Sequence, residues 1–278
     1  MDNSELDIIV NLTGVTKDKI KFSDDGFLSR GYIIDNGRIV FKFKKFPDVS
    51  YKNEIEILNY INSLSLNVNI QKVGWISEDD SYLGLYGIPG VSLEKMNLSS
   101  ENCETFGREL ATFLKLLHTS KNENLGLFKI TDEITAWQDR FEKSKPVLSV
   151  YFNESELSKM GSFIYQNIPE RLKALGEKYV FSHGDLGLGN IFVNENSNLG
   201  VIDFSESMYL DESADFMDIE NDELIEKVLD FYGADQNLRE KVKLRRDIRP
   251  MFVIGTYKNR PEEIMRFVQR IRNWLTQN

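Results

Sequence analysis

One cysteine, two histidines and six prolines are spread over 278 residues, and these scarcities narrow the chemistry. Cys103 alone can form neither an intrachain disulfide nor a cysteine-cluster metal site. No run approaches the roughly 18 apolar residues that span a bilayer, so no membrane partner is expected. The opening residues, Met-Asp-Asn-Ser-Glu-Leu-Asp, are acidic where a secretory leader is basic and then apolar. A cytoplasmic protein is expected, and a monomer. Basic residues are the minority, 34 against 44 acidic, for a net charge of −10. That balance disfavours nucleic acid, whose phosphate backbone requires a basic face. It suits a cationic ligand, and it equally suits plain solubility.

The remaining composition, 41% hydrophobic and 28% charged, is that of an ordinary globular protein. We find no internal repeat and no low-complexity linker. Residues 32 to 44 predict a β-hairpin around an Asn36-Gly37 turn. In its second strand Ile39, Phe41 and Phe43 alternate with Val40, Lys42 and Lys44. A helix with Ile55, Leu58 and Ile61 at helical spacing follows. Residues 81 to 90, S-Y-L-G-L-Y-G-I-P-G, read as a short strand leaving into a Gly/Pro-broken connection. From Glu101 the pattern is helical to about Lys178, a second hairpin is expected over 179 to 204, and the rest is mainly helical. A strand-rich front and a helix-rich back predict an α+β chain of two lobes.

The chemistry gathers in F-S-H-G-D-L-G-L-G-N, residues 181 to 190, and in V-I-D-F, residues 201 to 204. A polar turn at 194 to 198 brings the Asn190 end of one arm opposite the Asp203 end of the other. Asp185 lies on the loop leading in, exposed enough to act as a general base. Gly187 and Gly189 allow the tight backbone that returns Asn190 towards it. The amide oxygen of Asn190 and the carboxylate of Asp203 form an oxygen-only set suited to Mg²⁺. The plainer reading is a turn in which Asp185 caps its own amides and His183 is a packed core residue.

H-G-D-L-G-L-G-N followed by I-D-F matches the kinase signature of His-x-Asp-Leu, three residues, Asn, then Asp-Phe-Gly, with Ser205 in the glycine place. With Gly184 between His183 and Asp185, it resembles the aminoglycoside phosphotransferase and choline kinase family. The run F-S-H-G-D-L-G-x-x-N-I-F-V is most similar to antibiotic-modifying members. The resemblance extends from about Gly26 to Asp215. It implies a protein-kinase-like fold, with an antiparallel-sheet nucleotide lobe at 1–85, a hinge at 86–90 and a helical catalytic lobe at 91–278. It also implies ATP or GTP as phosphate donor. Among the front-half residues it selects Lys42 over Lys44 for the phosphates, and Glu54 over Glu56 to orient that lysine. Ser29, in a loop with Gly26 and Gly31, is the implied phosphate-covering residue. Leu85, Tyr86, Gly87 and Ile88 are implied at the nucleotide base, and Asp215 as brace of the catalytic loop beside His183. Protein kinases fit less well, since Gly184 replaces an arginine and no Ala-Pro-Glu follows.

Residues 203 to 226 hold ten carboxylates and no lysine or arginine. Asp218, Glu220, Asp222 and Glu223 are candidates for binding a cationic aminosugar or amino-alcohol, with Glu226 beside them. The alternative is a solvated acidic helix start. The favoured acceptor, by resemblance, is an aminoglycoside. Choline or homoserine remains open, as does a kinase-like binding protein without catalysis. The Lys241–Arg246 run reads as a solvated helix face, and Trp137 and Trp274 as core residues able to stack on a sugar.

Overall fold

Alternating apolar residues in front and helical spacing behind set the order of elements. In this computed structural model, residues 2–24, 26, 28–257 and 260–277 are described. The chain opens with α1 (Asn3–Thr13), capped by the Asp2 side chain, then β1 (Ile20–Ser23), β2 (Ser29–Ile34) and β3 (Ile39–Lys44). There follow α2 (Lys52–Ser63), β4 (Asn69–Ile70), β5 (Lys72–Ile76), β6 (Tyr82–Tyr86), β7 (Val91–Ser92) and α3 (Ser100–Thr119). Next come α4 (Ile130–Leu148), α5 (Glu154–Ser162) and α6 (Ile168–Leu175). The strands β8 (Tyr179–Ser182), β9 (Ile191–Val193), β10 (Leu199–Val201) and β11 (Met208–Asp211) lead to α7 (Asp222–Tyr232), α8 (Gln236–Val253) and α9 (Pro261–Gln277). By packing, the chain divides into Met1–Leu117 with Asp185–Ser207, and His118–Gly184 with Met208–Asn278.

The first unit is built on a five-stranded antiparallel sheet in the order β1-β2-β3-β6-β5. Strand alternation sends Phe41 and Phe43 to one face, where they pack with Tyr32, Leu6 and Ile9. Val40 and Lys42 point the other way, paired with Leu85 and Leu83 of β6. The hairpin between β2 and β3 closes at Ile34↔Ile39. Its turn is therefore the four residues 35–38 and not the two-residue Asn36-Gly37 turn expected from sequence. Asp35, Asn36 and Gly37 all take positive φ, and Arg38 donates its N–H to the Asp35 carbonyl at 3.1 Å. In α2 the inward face is Glu54, Ile57, Leu58 and Ile61, so Ile57 takes the place that sequence spacing assigned to Ile55. A smaller sheet, β4-β10-β9-β7, completes the unit, with β9 and β10 forming the hairpin around residues 194–198.

In the second unit β8 pairs antiparallel with β11, from Ser182↔Met208 to Tyr179↔Asp211. This corrects the single hairpin expected over 179–204. Residues 179–182 are not its first arm, because the loop after Ser182 separates them from β9 and a later strand takes the free edge. The helical core contains Trp137, Phe141, Phe252, Phe267 and Trp274. Trp137 stacks on Phe252 and Trp274 packs on Phe163, which makes both tryptophans core residues.

The Lys241–Arg246 run is also corrected. Lys241 and Arg245 are 2% and 0% exposed; four residues apart, they share the inward face of α8. Each is buried with its counter-charge. Lys241 Nζ is 2.9 Å from Asp211, and Arg245 reaches Glu133 with two bonds of 3.0 and 2.7 Å and Ser213 with one of 2.7 Å. The Arg245 guanidinium lies 5.0 Å from the Trp137 ring centre. Burial pulls its pKa down, but Glu133 and Asp211 outweigh that and hold it above the usual arginine value. Replacing Arg245 by Met strands the buried Glu133 carboxylate, so Arg245→Met is expected to cost about 3–5 kcal/mol in urea unfolding. A loss under about 1 kcal/mol would show that the pair is solvated in practice.

Candidate active site

In the first unit three charged side chains meet. Alternation along β3 puts Lys42 on the face opposite Phe41, and Glu54 occupies the first turn of α2, pointing inward. Lys42 Nζ lies 2.6 Å from Glu54 Oε1 and 3.0 Å from Asp203 Oδ1. Lys44, on the same strand face, is held by Asp80 at 2.8 Å, and Glu56 is exposed. The structure therefore pairs Lys42, and not Lys44, with Glu54. Burial lowers the pKa of Lys42, but the two carboxylates raise it well past its ordinary value, so the ammonium stays charged. Burial pushes the Glu54 carboxyl up, against the pull of Lys42.

The loop from Asp185 to Asn190 closes on itself. The Asn190 amide nitrogen donates to the Asp185 carbonyl at 2.8 Å and to its carboxylate Oδ2 at 3.1 Å. The Ile202 N–H donates to the Asn190 carbonyl at 3.0 Å, which brings Asp203 alongside. Asp203 sits at φ +64°. Its N–H donates to Gln71 Oε1 at 3.3 Å, and Ser205 Oγ donates to its Oδ1 at 3.0 Å. Gln71 is buried, and sequence reasoning missed it because nothing in its local pattern marks it out. The glycine roles also differ from expectation. The residue in the left-handed region is Gly184, at φ +87°, whereas Gly187 is extended at φ −80°.

With the Asn190 nitrogen committed to Asp185, its carbonyl oxygen is the side-chain atom that can ligate a cation. Together with the Asp203 carboxylate it provides the hard oxygen ligands that Mg²⁺ takes alongside phosphates and water. Among the described residues no cluster of three or more His, Cys, Asp or Glu side chains could hold a metal unaided. The residues present fit an ion delivered with a phosphate ligand.

Beside these groups lies a cavity of about 1020 Å³, with Val40, Ile88, Phe192 and Ile202 as apolar wall and Lys42 and Asp203 as polar wall. Its size and mixed lining are those of a small-molecule site. Leu85 is buried next to Val40 on the sheet face of Lys42, while Tyr86 is 51% exposed. The Gly87 N–H is already bonded to the Arg38 carbonyl at 2.8 Å. A Cβ at Gly87 would stand 2.1 Å from the Gly37 carbonyl oxygen, so glycine is required by that close approach. Ser29 Oγ is 2.8 Å from the Tyr51 hydroxyl. Asp25 and Phe27 of the same loop lie outside the described residues.

The second unit has its own buried anchor. Asp215 accepts the backbone N–H of His183 at 3.0 Å and of Gly184 at 2.9 Å, one on each oxygen. His118 Nε2 donates to it at 3.0 Å, and His118 Nδ1 lies 2.8 Å from the Tyr232 hydroxyl. Both histidines of the chain thus meet Asp215, and the residue after Gly184 is Asp185. His118 went unmarked in the sequence because it reads only as the end of an amphipathic helix. Three of the four candidate substrate carboxylates are paired with arginines. Asp218 pairs with Arg249; Glu220 with Arg249, Arg266 and Arg270; Asp222 with Arg246. Glu223 is exposed on the first turn of α7.

Burial would raise the Asp215 carboxyl, but the His118 hydrogen bond, the charges of His118 and His183 and the Gly184 amide outweigh it and lower its pKa. A carboxyl lowered in the folded state contributes stability that is complete above its unfolded pKa of about 3.9. That contribution is lost as pH falls through the still lower folded value. Asp215→Asn is expected to destabilise the protein at neutral pH by at least about 1.5–3 kcal/mol and to shrink the stability lost on acidification. Urea melts from pH 7 to pH 3 test this; an unchanged acid limb in the variant would remove Asp215 from the account.

Comparison with known proteins identifies the fold and the family. The model of the phosphotransferase enzyme family matches residues 19–243. Among solved structures, the GDP and kanamycin complex of APH(2")-IIIa superposes with a TM-score of 0.81 at 17% identity, over 100% of both chains. The gentamicin complex of APH(2")-IIa gives 0.74 at 20% identity, over 98% of this chain and 96% of that one. The macrolide 2'-phosphotransferase MphH from Brachybacterium faecium gives 0.65 at 15% identity, over 97% and 98%. No curated protein sequence gives a match. The antiparallel sheet with its helix and the helical remainder are the kinase-like fold of these enzymes, and the chain belongs to the phosphotransferase enzyme family.

Proposed function

We propose that the protein transfers the γ-phosphate of ATP or GTP to a hydroxyl of an aminoglycoside. The observation that carries the reading is the Lys42–Glu54–Asp203 cluster beside the Asp185–Asn190 loop and the large cavity. In this reading the nucleotide base lies against Val40, Leu85 and Ile88 around a hinge at 86–90, which divides a nucleotide lobe (1–85) from a catalytic lobe (91–278). Lys42, kept charged and aimed by Glu54, holds the phosphates, and Ser29 covers them. Asn190 and Asp203 would hold Mg²⁺, which when bound neutralises phosphate charge. Asp185, oriented by the Asn190 amide, accepts the proton of the attacking hydroxyl. Positioning and electrostatics then supply most of the rate, as in other phosphoryl transfers.

The acceptor class rests on a difference in likeness, since the aminoglycoside phosphotransferases superpose better than the macrolide enzyme. It also rests on the surplus of acid over base. For the substrate amines, Glu223 and Asp222 are the exposed carboxylates, Asp222 already paired with Arg246. Asp218, Glu220 and Asp222 would have to exchange an arginine for an ammonium.

The test is nucleotide consumption with Mg²⁺ and ATP or GTP in separate assays, against aminoglycosides, a macrolide, choline and homoserine. An aminoglycoside should drive consumption, and Asp185→Ala should lower kcat by about 10²–10⁴ with nucleotide affinity little changed. Lys42→Met should instead weaken nucleotide binding. Consumption driven only by the macrolide or an amino-alcohol moves the substrate and keeps the chemistry. Phosphate release that ignores every acceptor and survives Asp185→Ala sinks the proposal.

A further inference from the structure

Gln71 is pinned at one end of its side chain and open at the other. It is the single residue between β4 and β5. The pairs Ile70↔Val201 and Lys72↔Tyr86 flank it, which puts it level with Ile202 on one side and with Gly87 on the other. Its main-chain carbonyl accepts from the Asn62 side chain of α2 at 2.8 Å, and the residue is 3% exposed. Its backbone is held, and its side chain has little room to move.

A carboxamide can turn over and present either oxygen or nitrogen, as its partner requires. Here the Asp203 N–H donates to Gln71 Oε1 at 3.3 Å. Turning the amide would set donor against donor and leave a main-chain N–H unmade, which is costly away from water. The nitrogen therefore stays on the far side. It has no hydrogen-bond partner among the described residues. Gln71 lines the 1020 Å³ cavity together with Val40, Ile88, Ile202 and Asp203. The cavity thus contains an amide that can donate to a ligand and is held back from accepting.

The inference rests on the phosphotransfer reading, in which a purine lies against Val40, Leu85 and Ile88 with its phosphates at Lys42. A purine carries its ribose at N9, so the remote edge, with the 6-substituent, turns to the wall between Gly87 and Ile202, where Gln71 stands. Guanine and hypoxanthine have a carbonyl oxygen at position 6, which accepts. Adenine has an amino group there, which donates. Facing a fixed donor, the oxygen completes a hydrogen bond, whereas the amino group leaves two donors opposed.

We propose that Gln71 is a specificity-determining residue that selects a 6-oxopurine nucleotide, its Nε2 donating to the 6-oxygen. The Asp203 N–H, by holding Oε1, keeps the amide from turning over to read adenine equally well.

The test is calorimetric titration of the full chain, with Mg²⁺ present, by GDP, IDP and ADP, which have no γ-phosphate to transfer. IDP has the 6-oxygen of GDP and lacks its 2-amino group. Both should bind about 10-fold more tightly than ADP, the worth of one hydrogen bond. Gln71→Leu removes the donor and should shrink that preference to less than about 3-fold, by weakening GDP and IDP. Lys42→Met should weaken all three and keep the preference. The wild-type series needs no variant to fold, and ADP binding as tightly as GDP overturns the proposal by itself. IDP binding like ADP also overturns it, by assigning the preference to the 2-amino group. So does a Gln71→Leu protein that keeps the preference, or one that loses affinity for all three equally, which would reduce Gln71 to a support for Asp203. Wild type that binds none of the three overturns the phosphotransfer reading and this proposal with it; binding in the wrong order overturns the proposal alone.

Discussion

A lysine ammonium buried in protein has lost its water, and that loss is tolerable only where carboxylates replace it. The Lys42–Glu54–Asp203 cluster is such a replacement, and much of the first unit is arranged around it. It ties the middle strand of the large sheet to the first turn of α2 and to the segment after β10, elements up to 161 residues apart in the chain. The pairing also leaves Lys42 charged and held.

The second unit uses the same physics for a different end. Asp215 takes the backbone N–H groups of His183 and Gly184 and the imidazole of His118, so the chain enters the Asp185 loop from a fixed backbone. A few residues earlier, Asp211 and Ser213 are gripped by Lys241 and Arg245. The short stretch from 211 to 215 is therefore anchored at both ends by buried charge. Packing alone would leave such a stretch free to slide, because apolar contacts are non-directional, whereas a bidentate guanidinium or a carboxylate with two amides has one geometry.

Much of this was legible in the residues. The alternation in β3 placed Lys42 on a strand face, and the order of motifs from His183 to Asp203 announced the fold and the family before any coordinates. What the sequence concealed was what depends on distant partners. Gln71 supports Asp203 from 132 positions away, and no local pattern could point to it. Lys241 and Arg245 look like surface residues until Asp211 and Glu133 are brought to them, and the acidic run at 218–222 looks bare until the arginines of α8 and α9 arrive. Strand order failed for a similar reason: β8 prefers β11, whose residues carry no turn signal linking the two. Periodicity reports which face a residue takes; it does not report what waits on the other side.

The backbone of Asp203 has a further consequence. At φ +64° it occupies a region that glycine, asparagine and aspartate enter readily and branched residues do not. The substitutions the fold can absorb at this position are therefore those that erase its negative charge while leaving the turn intact. A single base change from aspartate to asparagine or glycine can thus remove the carboxylate that meets Lys42 and leave the turn intact. At this site, losing the charge and keeping the architecture are adjacent steps.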